Sequence, residues 1–351
     1  MMSATEGFTG IVESRGVEKT LEGHITACCA SQDNLAFAFA TAEGELLIAP
    51  RETLRDVGTW KTLQPHDGPI LSLSPDIEGA SFLTGGEDGR LKRVSVDQSE
   101  ELVKVRRWIE HVACWHNGKK GVIAFAAGKE VHLRDADGTT ALRTLEHPST
   151  VTGIVFDAKG KRIAASHYNG ASMWFVQSKD GSPKVYEWKG SHIGITIHPG
   201  GDALITSMQE NDLHGWRLAD GHNMRMSGYP TKVASLAFTR DGKWLATSGA
   251  DCVVMWPFFG GGPMGKPPAE LPGIPGVLCT RVATHPQQDV VVAGFADGTI
   301  LMIDYTSERV LPVCAAGGGM VTALAFSADG CTLGYGTEEG RIGLVDLAAS
   351  P

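Results

Sequence analysis

The sequence predicts an all-β chain of short antiparallel meanders stacked on one another, and three observations carry that prediction. First, residues 233–256, VASLAFTRDGKWLATSGADCVVMW, hold three apolar runs, each too short for a helix and bounded by turn residues. Arg240-Asp241-Gly242 and Gly249-Ala250-Asp251 are the turns, with Gly supplying positive φ. Second, the pattern returns at 321–347, with Ala328-Asp329-Gly330 as its turn, and at 151–174, with Lys159-Gly160. Third, Trp174, Trp216 and Trp256 stand 42 and 40 residues apart, and Ile303 and Val345 continue the series at 47 and 42. A meander with two apolar faces is marginal alone, so the copies must cover one another. A period near 40–45 with four strands per unit is the signature of a β-propeller.

Composition fits one large repeat domain. With 351 residues, 42% of them apolar, the core is ample, and a regular repeat overrides the two or three domains that length alone would suggest. A net charge of −9 argues against general affinity for nucleic acid or anionic membranes, which need concentrated Lys and Arg. Seven cysteines without a short-loop framework read as reduced thiols, and Cys28, Cys29, Cys114 and Cys279 fall in apolar first-strand runs as small hydrophobes. The opening MMSATEGFTG lacks the charge and apolar run of a leader, and no run reaches membrane-spanning length. The expectation is a cytoplasmic, monomeric protein.

Residues 1–14 read as an irregular tail and 15–351 as the propeller, beginning with a short strand at 17–21 before Gly23-His24. The first unit takes strands at 25–30, 35–40, 45–48 and 60–63; the second at 70–73, 81–84, 91–96 and 102–108. The third, least regular, takes 112–115, 122–126, 131–134 and 141–145; the fourth 151–156, 162–166, 172–176 and 184–188. The fifth uses 193–197, 203–207, 213–218 and 223–226, and the sixth is the opening stretch with its outer strand after Lys266. The seventh uses 278–284, 290–294, 299–304 and 310–313, and the eighth supplies three strands only. Eight blades of four strands are expected, with seven as the alternative.

The chain resembles WD-repeat proteins over nearly its whole length. That resemblance implies that sequence repeats are offset from blades, so that 17–21 is the fourth strand of the last blade and the exposed edge between first and last disappears. It also implies a side-chain network of His, Ser or Thr, Asp and Trp through each blade. His66 and Asp88 fit it in the second unit; His147, Ser166, Asn169 and Trp174 in the fourth; Ser248, Asp251 and Trp256 in the sixth, where Tyr229-Pro230 stands near the His place. His24 also occupies the His place, whereas His198 and His285 precede Pro in turns expected to be exposed. The second unit has Val94 and Val96 where Trp is expected, and the terminal Asp of the name-giving pair survives only as Arg134-Asp135, Ile303-Asp304 and Val345-Asp346.

Other motifs carry less. Gly260-Gly261-Gly262-Pro263-Met264-Gly265-Lys266 spells a phosphate-loop pattern, but Pro267-Pro268 follows where Ser or Thr and a helix are needed. The enclosing Pro/Gly-rich loop, 257–276, either folds its Phe258 and Phe259 back onto the ring or offers them to a partner. No H-E-x-x-H, C-x-x-C or close His/Asp cluster is present, so no metal and no cofactor is expected. Arg90, Lys92, Arg93, Lys104, Arg106 and Arg107 concentrate positive charge on the outer strands of the second unit, as a solubilising edge or a dock for an acidic partner.

In function, the inner strands begin at Ile25, Ile70, Val112, Val151, Ile193, Val233, Leu278 and Val321, with only Asp67, His111, His192 and Lys232 as nearby charge or imidazole. No carboxylate ring or nucleophile elbow stands there, which argues against hydrolysis. The expectation is a non-enzymatic scaffold for protein or peptide partners; the alternative is an enzyme or small-ligand sensor using the central channel. The resemblance implies docking on the narrower face, where this chain offers Glu87, His167, Tyr168, Glu210, Lys232 and Glu338, with Tyr168 the leading anchor.

Overall fold

The computed structural model describes residues 9–348 apart from 78, 119, 179 and 180. Its second strands, such as Ala36–Thr41 and Gly121–Ala127, are buried at every position, because both faces of each meander are covered by neighbours. The core is therefore a set of slabs between adjacent sheets. Phe37, Phe39 and Leu47 meet Ala323, Ile342 and Leu344 in one slab; Val253 and Met255 meet Val291, Ala293 and Ile303 in another. Each of the larger apolar side chains contributes roughly 1.5–3 kcal/mol on leaving water, so the slabs hold the sheets radially alongside hydrogen bonds such as that from the Thr322 hydroxyl to the Ile25 carbonyl.

The inner strands touch in a closed cycle. Ile25–Ala30 meets Ile70–Pro75, and contact passes through His111–His116, Gly153–Phe156, Lys184–Ile197, Leu236–Phe238 and Cys279–Thr284 to Val321–Phe326, which returns to Ile25–Ala30. The expected eight separate sheets are corrected to seven hydrogen-bonded sheets, six of four strands and one of six. The units expected as fourth and fifth are joined, because Tyr168 pairs with Ser191 across what would otherwise be a gap. On either side of that joint the chain still turns back on itself. Asn169 (φ 67°) and Gly170 (φ 143°) reverse it, and the Val176 N–H reaches the Lys161 carbonyl at 3.0 Å.

The clasp forms as expected. Gly16–Thr20 runs antiparallel to Arg341–Asp346, with Val17 opposite Leu344 and Thr20 opposite Arg341, completing the sheet of Val321–Phe326 and Thr332–Thr337. The segment read as an irregular tail ends in a one-turn helix, Ile11–Arg15, whose Val12 is buried against Val313 and Val345; residues 1–8 lie outside the described residues. The outer strand of the sixth sheet is Ala269–Glu270, after Lys266. The outer strand expected at 102–108 is instead Ser99–Lys104, which frees 105–110 as a connection to the next sheet.

Candidate docking face

Antiparallel meanders bring the turn between second and third strands to the same end of the sheet as the segment entering the first strand. Here the two are tied by hydrogen bonds in one unit after another: Ala42 N–H to His24 O (2.9 Å), Glu87 to Pro69 (3.1 Å), Gln209 to Ser191 (2.9 Å), Ala296 to Leu278 (2.8 Å) and Glu338 to Met320 (2.9 Å). In the fourth unit the Tyr168 N–H donates to the Ser149 hydroxyl at 2.9 Å. These ties make one rigid face of the ring, and Glu87, His167, Tyr168, Glu210, Lys232 and Glu338 all lie on it.

Their side chains do different work. The Glu210 carboxylate accepts from the Ser191 N–H (3.1 Å) and that of Glu338 from the Met320 N–H (2.9 Å), so both reinforce the ties. His167 is buried, its Nε2 paired with the Ser172 hydroxyl at 2.9 Å. Glu87 is half-buried and Lys232 exposed. Tyr168 stands 54% exposed while its backbone is pinned, the condition for a low-entropy aromatic anchor. The sequence reading missed Trp108, 53% exposed on the same face, because it placed that residue in a strand.

The side-chain networks only partly follow expectation. His66 donates from Nδ1 to Asp88 (2.9 Å), and its Nε2 accepts from Thr84 (2.8 Å). Burial lowers the His66 imidazole below its ordinary value despite Asp88. In the sixth unit Tyr229 replaces His: Trp256 Nε1 donates to its hydroxyl (2.6 Å), which donates to Thr247 (2.7 Å), which reaches the Val254 carbonyl (2.9 Å). Burial pushes this phenol up to about 12. Ser248 and Asp251 stand outside that chain. Ser248 instead accepts from the Ala234 and Ser235 N–H groups, and Asp251 from the Gly276 N–H (3.1 Å).

In the fourth unit Trp174 Nε1 donates to His147 Nε2 (3.3 Å), but Ser166 pairs with Thr152 (3.0 Å) and Asn169 accepts from the Gly190 N–H (3.2 Å). A fuller network lies in the fifth unit, where sequence reading placed none. His192 pairs with Thr206 (2.7 Å), Thr206 with the His214 carbonyl (3.1 Å), and His214 with Asn223 (2.9 Å), while Trp188 stacks on His214 at 3.8 Å. Burial drives His147 and His214 down to about 4. His198 and His285, expected in exposed turns, each tie one unit to the next. His198 donates to the Gly242 carbonyl (2.9 Å), and buried His285 donates to that of Gly330 (3.1 Å). Both glycines hold positive φ, so each imidazole covers a turn carbonyl of its neighbour.

Phe258 and Phe259 belong elsewhere. They open the connection between Val254–Pro257 and Ala269–Glu270, at the opposite end of the sheet, and fold back onto the ring. Phe258 meets Phe238 edge-on at 4.9 Å and Phe259 meets Trp244 at 5.2 Å, although Phe259 keeps 44% of its surface exposed. The Lys266 ammonium caps this loop, donating to the carbonyls of Phe259, Gly260 (3.2 Å) and Gly262 (3.1 Å). The glycine run thus turns carbonyls, not N–H groups, toward its lysine, the reverse of a phosphate cradle. In the channel region Asp67 pairs with Arg90 (2.6 Å), and burial lowers His111 to about 4. Among the described residues no group of three or more His, Cys, Asp or Glu is placed to share a metal ion.

Architecture and bonding together define the class: a closed β-propeller, two stretches of which match WD40 repeats. The family model "WD domain, G-beta repeat" (WD40) matches residues 59–92 and 221–256, and those two stretches contain the His66–Thr84–Asp88 and Tyr229–Thr247–Trp256 networks. The chain is similar to WD repeat-containing protein slp1 of Schizosaccharomyces pombe, at 23% identity over 191 residues; the match covers 51% of this chain and 38% of that protein's length. In fold it is similar to the computationally designed protein Ika8, with a TM-score of 0.74 and 18% identity, over 93% of this chain and 98% of that one.

Proposed function

We propose that the chain is a non-enzymatic interaction scaffold that holds protein or peptide partners on the tied face of the ring. The observation that carries this reading is Tyr168, a half-exposed aromatic on a backbone pinned by Ser149, beside the joint between two units. A rigid anchor of that kind loses little conformational entropy when a partner covers it. The relation to WD40 repeats supports the reading, since that family is generally one of protein-binding scaffolds. Phe259, exposed on a loop pinned by Lys266, is proposed as a secondary contact from the opposite side. The proposal extends to a monomeric protein of the cytoplasm, which all seven cysteines standing as free thiols would suit. No helix among the described residues is long and apolar enough to cross a membrane.

Affinity capture from lysate with the full chain tests the reading, comparing the unaltered protein with Tyr168→Ala and with a deletion of 258–266. The expected result is a stable partner weakened about tenfold or more by Tyr168→Ala, the scale of an aromatic hot spot. A stable partner indifferent to both changes would remove these surface assignments.

A further inference from the structure

The connection from Ser99–Lys104 to His111–His116 forms an arch on the tied face. Its feet are fixed: the Val105 N–H donates to Gly89 O (2.8 Å), the Ile109 N–H to Gly86 O (3.0 Å), and Ile109 is fully buried. Between those feet Arg106, Arg107 and Trp108 are all exposed. They open onto a cleft of about 350 Å³ that is closed on its other side by Gly128 and Thr150, with Glu110 at its edge. Thr150 follows Ser149, whose hydroxyl accepts from the Tyr168 N–H, so the exposed Tyr168 stands on the same face in the next unit.

The charge here is unbalanced in one direction. Arg90 is engaged by Asp67 and Glu101, and Arg93 by Asp76, but among the described residues Arg106 and Arg107 form no ion pair. Lys129, exposed beside Gly128, has none either. The opposing carboxyl is Glu110, which burial makes readier to hold a proton. The net charge of −9 does not cancel this patch at range, because charges farther than about 8 Å are largely screened at physiological salt. Two guanidiniums without ion pairs among the described residues, beside an exposed indole on an arch with fixed feet, suit carboxylates flanking an apolar residue.

We propose that this arch is a docking site for an acidic linear peptide of a partner protein, with Arg106 and Arg107 taking its carboxylates and Trp108 and Tyr168 its apolar side chains. The assignment rests on the scaffold reading and adds the chemistry of the partner.

The test is selection of a phage-displayed random peptide library on the immobilised full chain, followed by anisotropy titration of a labelled recovered peptide. The expected result is enrichment of Asp and Glu around an apolar residue. Binding should weaken roughly ten- to a hundredfold with Arg106→Ala/Arg107→Ala, be partly kept by Arg106→Lys/Arg107→Lys, and fall with added salt. Both residues are exposed, and an unchanged melting curve for each variant shows that folding is not the cause. Recovered peptides without acidic enrichment, or acidic ones indifferent to the double alanine change, would overturn the arch while leaving the scaffold reading in place. A duplex oligonucleotide that binds the arginines more tightly than any recovered peptide would overturn the choice of peptide. Recovery of no binding peptide at all would overturn the arch as a peptide site, while the capture experiment with Tyr168→Ala decides the scaffold reading separately.

Discussion

At the scale of single residues, the ring is held by buried polar side chains whose partners come from distant strands. Tyr229 shows the logic, because its hydroxyl links Trp256 Nε1 to Thr247. Tyr229→Phe keeps the ring's volume but strands the indole N–H, and should lower unfolding free energy by about 1–3 kcal/mol, read by urea denaturation. A loss near zero would mean that water replaces the hydroxyl. The buried imidazoles set a pH dependence. His147 and His214 titrate at about 4 when folded, against about 6.5 unfolded. The unfolded chain therefore binds more protons between those values. Stability should be full above about 6.5 and fall as pH drops toward 4, and His147→Gln should flatten that fall. A denaturation midpoint independent of pH across that window would contradict their burial as neutral groups. Of this layer, the His66–Asp88 pair, the Trp174–His147 contact and the place of Trp256 were legible in the sequence. Tyr229 replaces an imidazole by a group of different chemistry, and Thr247 rather than its neighbour Ser248 points inward, which alternation along a short strand decides only once register is known.

At the scale of the element, the clasp is the instructive case. Tyr335, Gly343 and Glu18 stand in register across three strands. A Cβ on Gly343 would lie 2.2 Å from the Tyr335 ring, so only glycine lets that ring cross the middle strand and bring its hydroxyl to Glu18. Arg341 pairs with the same carboxylate at 3.0 Å. Gly343→Ala should displace Tyr335 and destabilise the chain by about 1–3 kcal/mol, the cost of overpacking a dense core. Glu18→Gln should cost less, since it keeps an acceptor for the phenol. Melting of both variants checks the order, and equal losses would deny the glycine its role. Strand positions here were readable from apolar runs and turn glycines, and the clasp from the offset that the WD-repeat resemblance implies together with the missing fourth strand of the last unit. The fused sheet was not, because it depends on one pair, Tyr168 with Ser191, contributed by residues that each read as a turn or its flank.

At the scale of the whole molecule, a closed cycle of inner strands turns scattered turns into one surface. The period placed Glu87, Tyr168, Glu210, Lys232 and Glu338 on a common face, but could not tell an anchor from a tie. Glu210 and Glu338 spend their carboxylates on backbone N–H groups, while Trp108 became visible only when its strand proved to end at Lys104. The rigidity of that face depends on closure, since a ring open at 16–20 would expose the edge of Arg341–Asp346 and let its first and last sheets part. Hydrogen–deuterium exchange of the intact chain tests closure most directly. The account predicts that amides of 16–20 exchange as slowly as those of the neighbouring 341–346, with both opening only as the ring unfolds. Exchange of 16–20 at the rate of a free chain end, beside a protected 341–346, would contradict it.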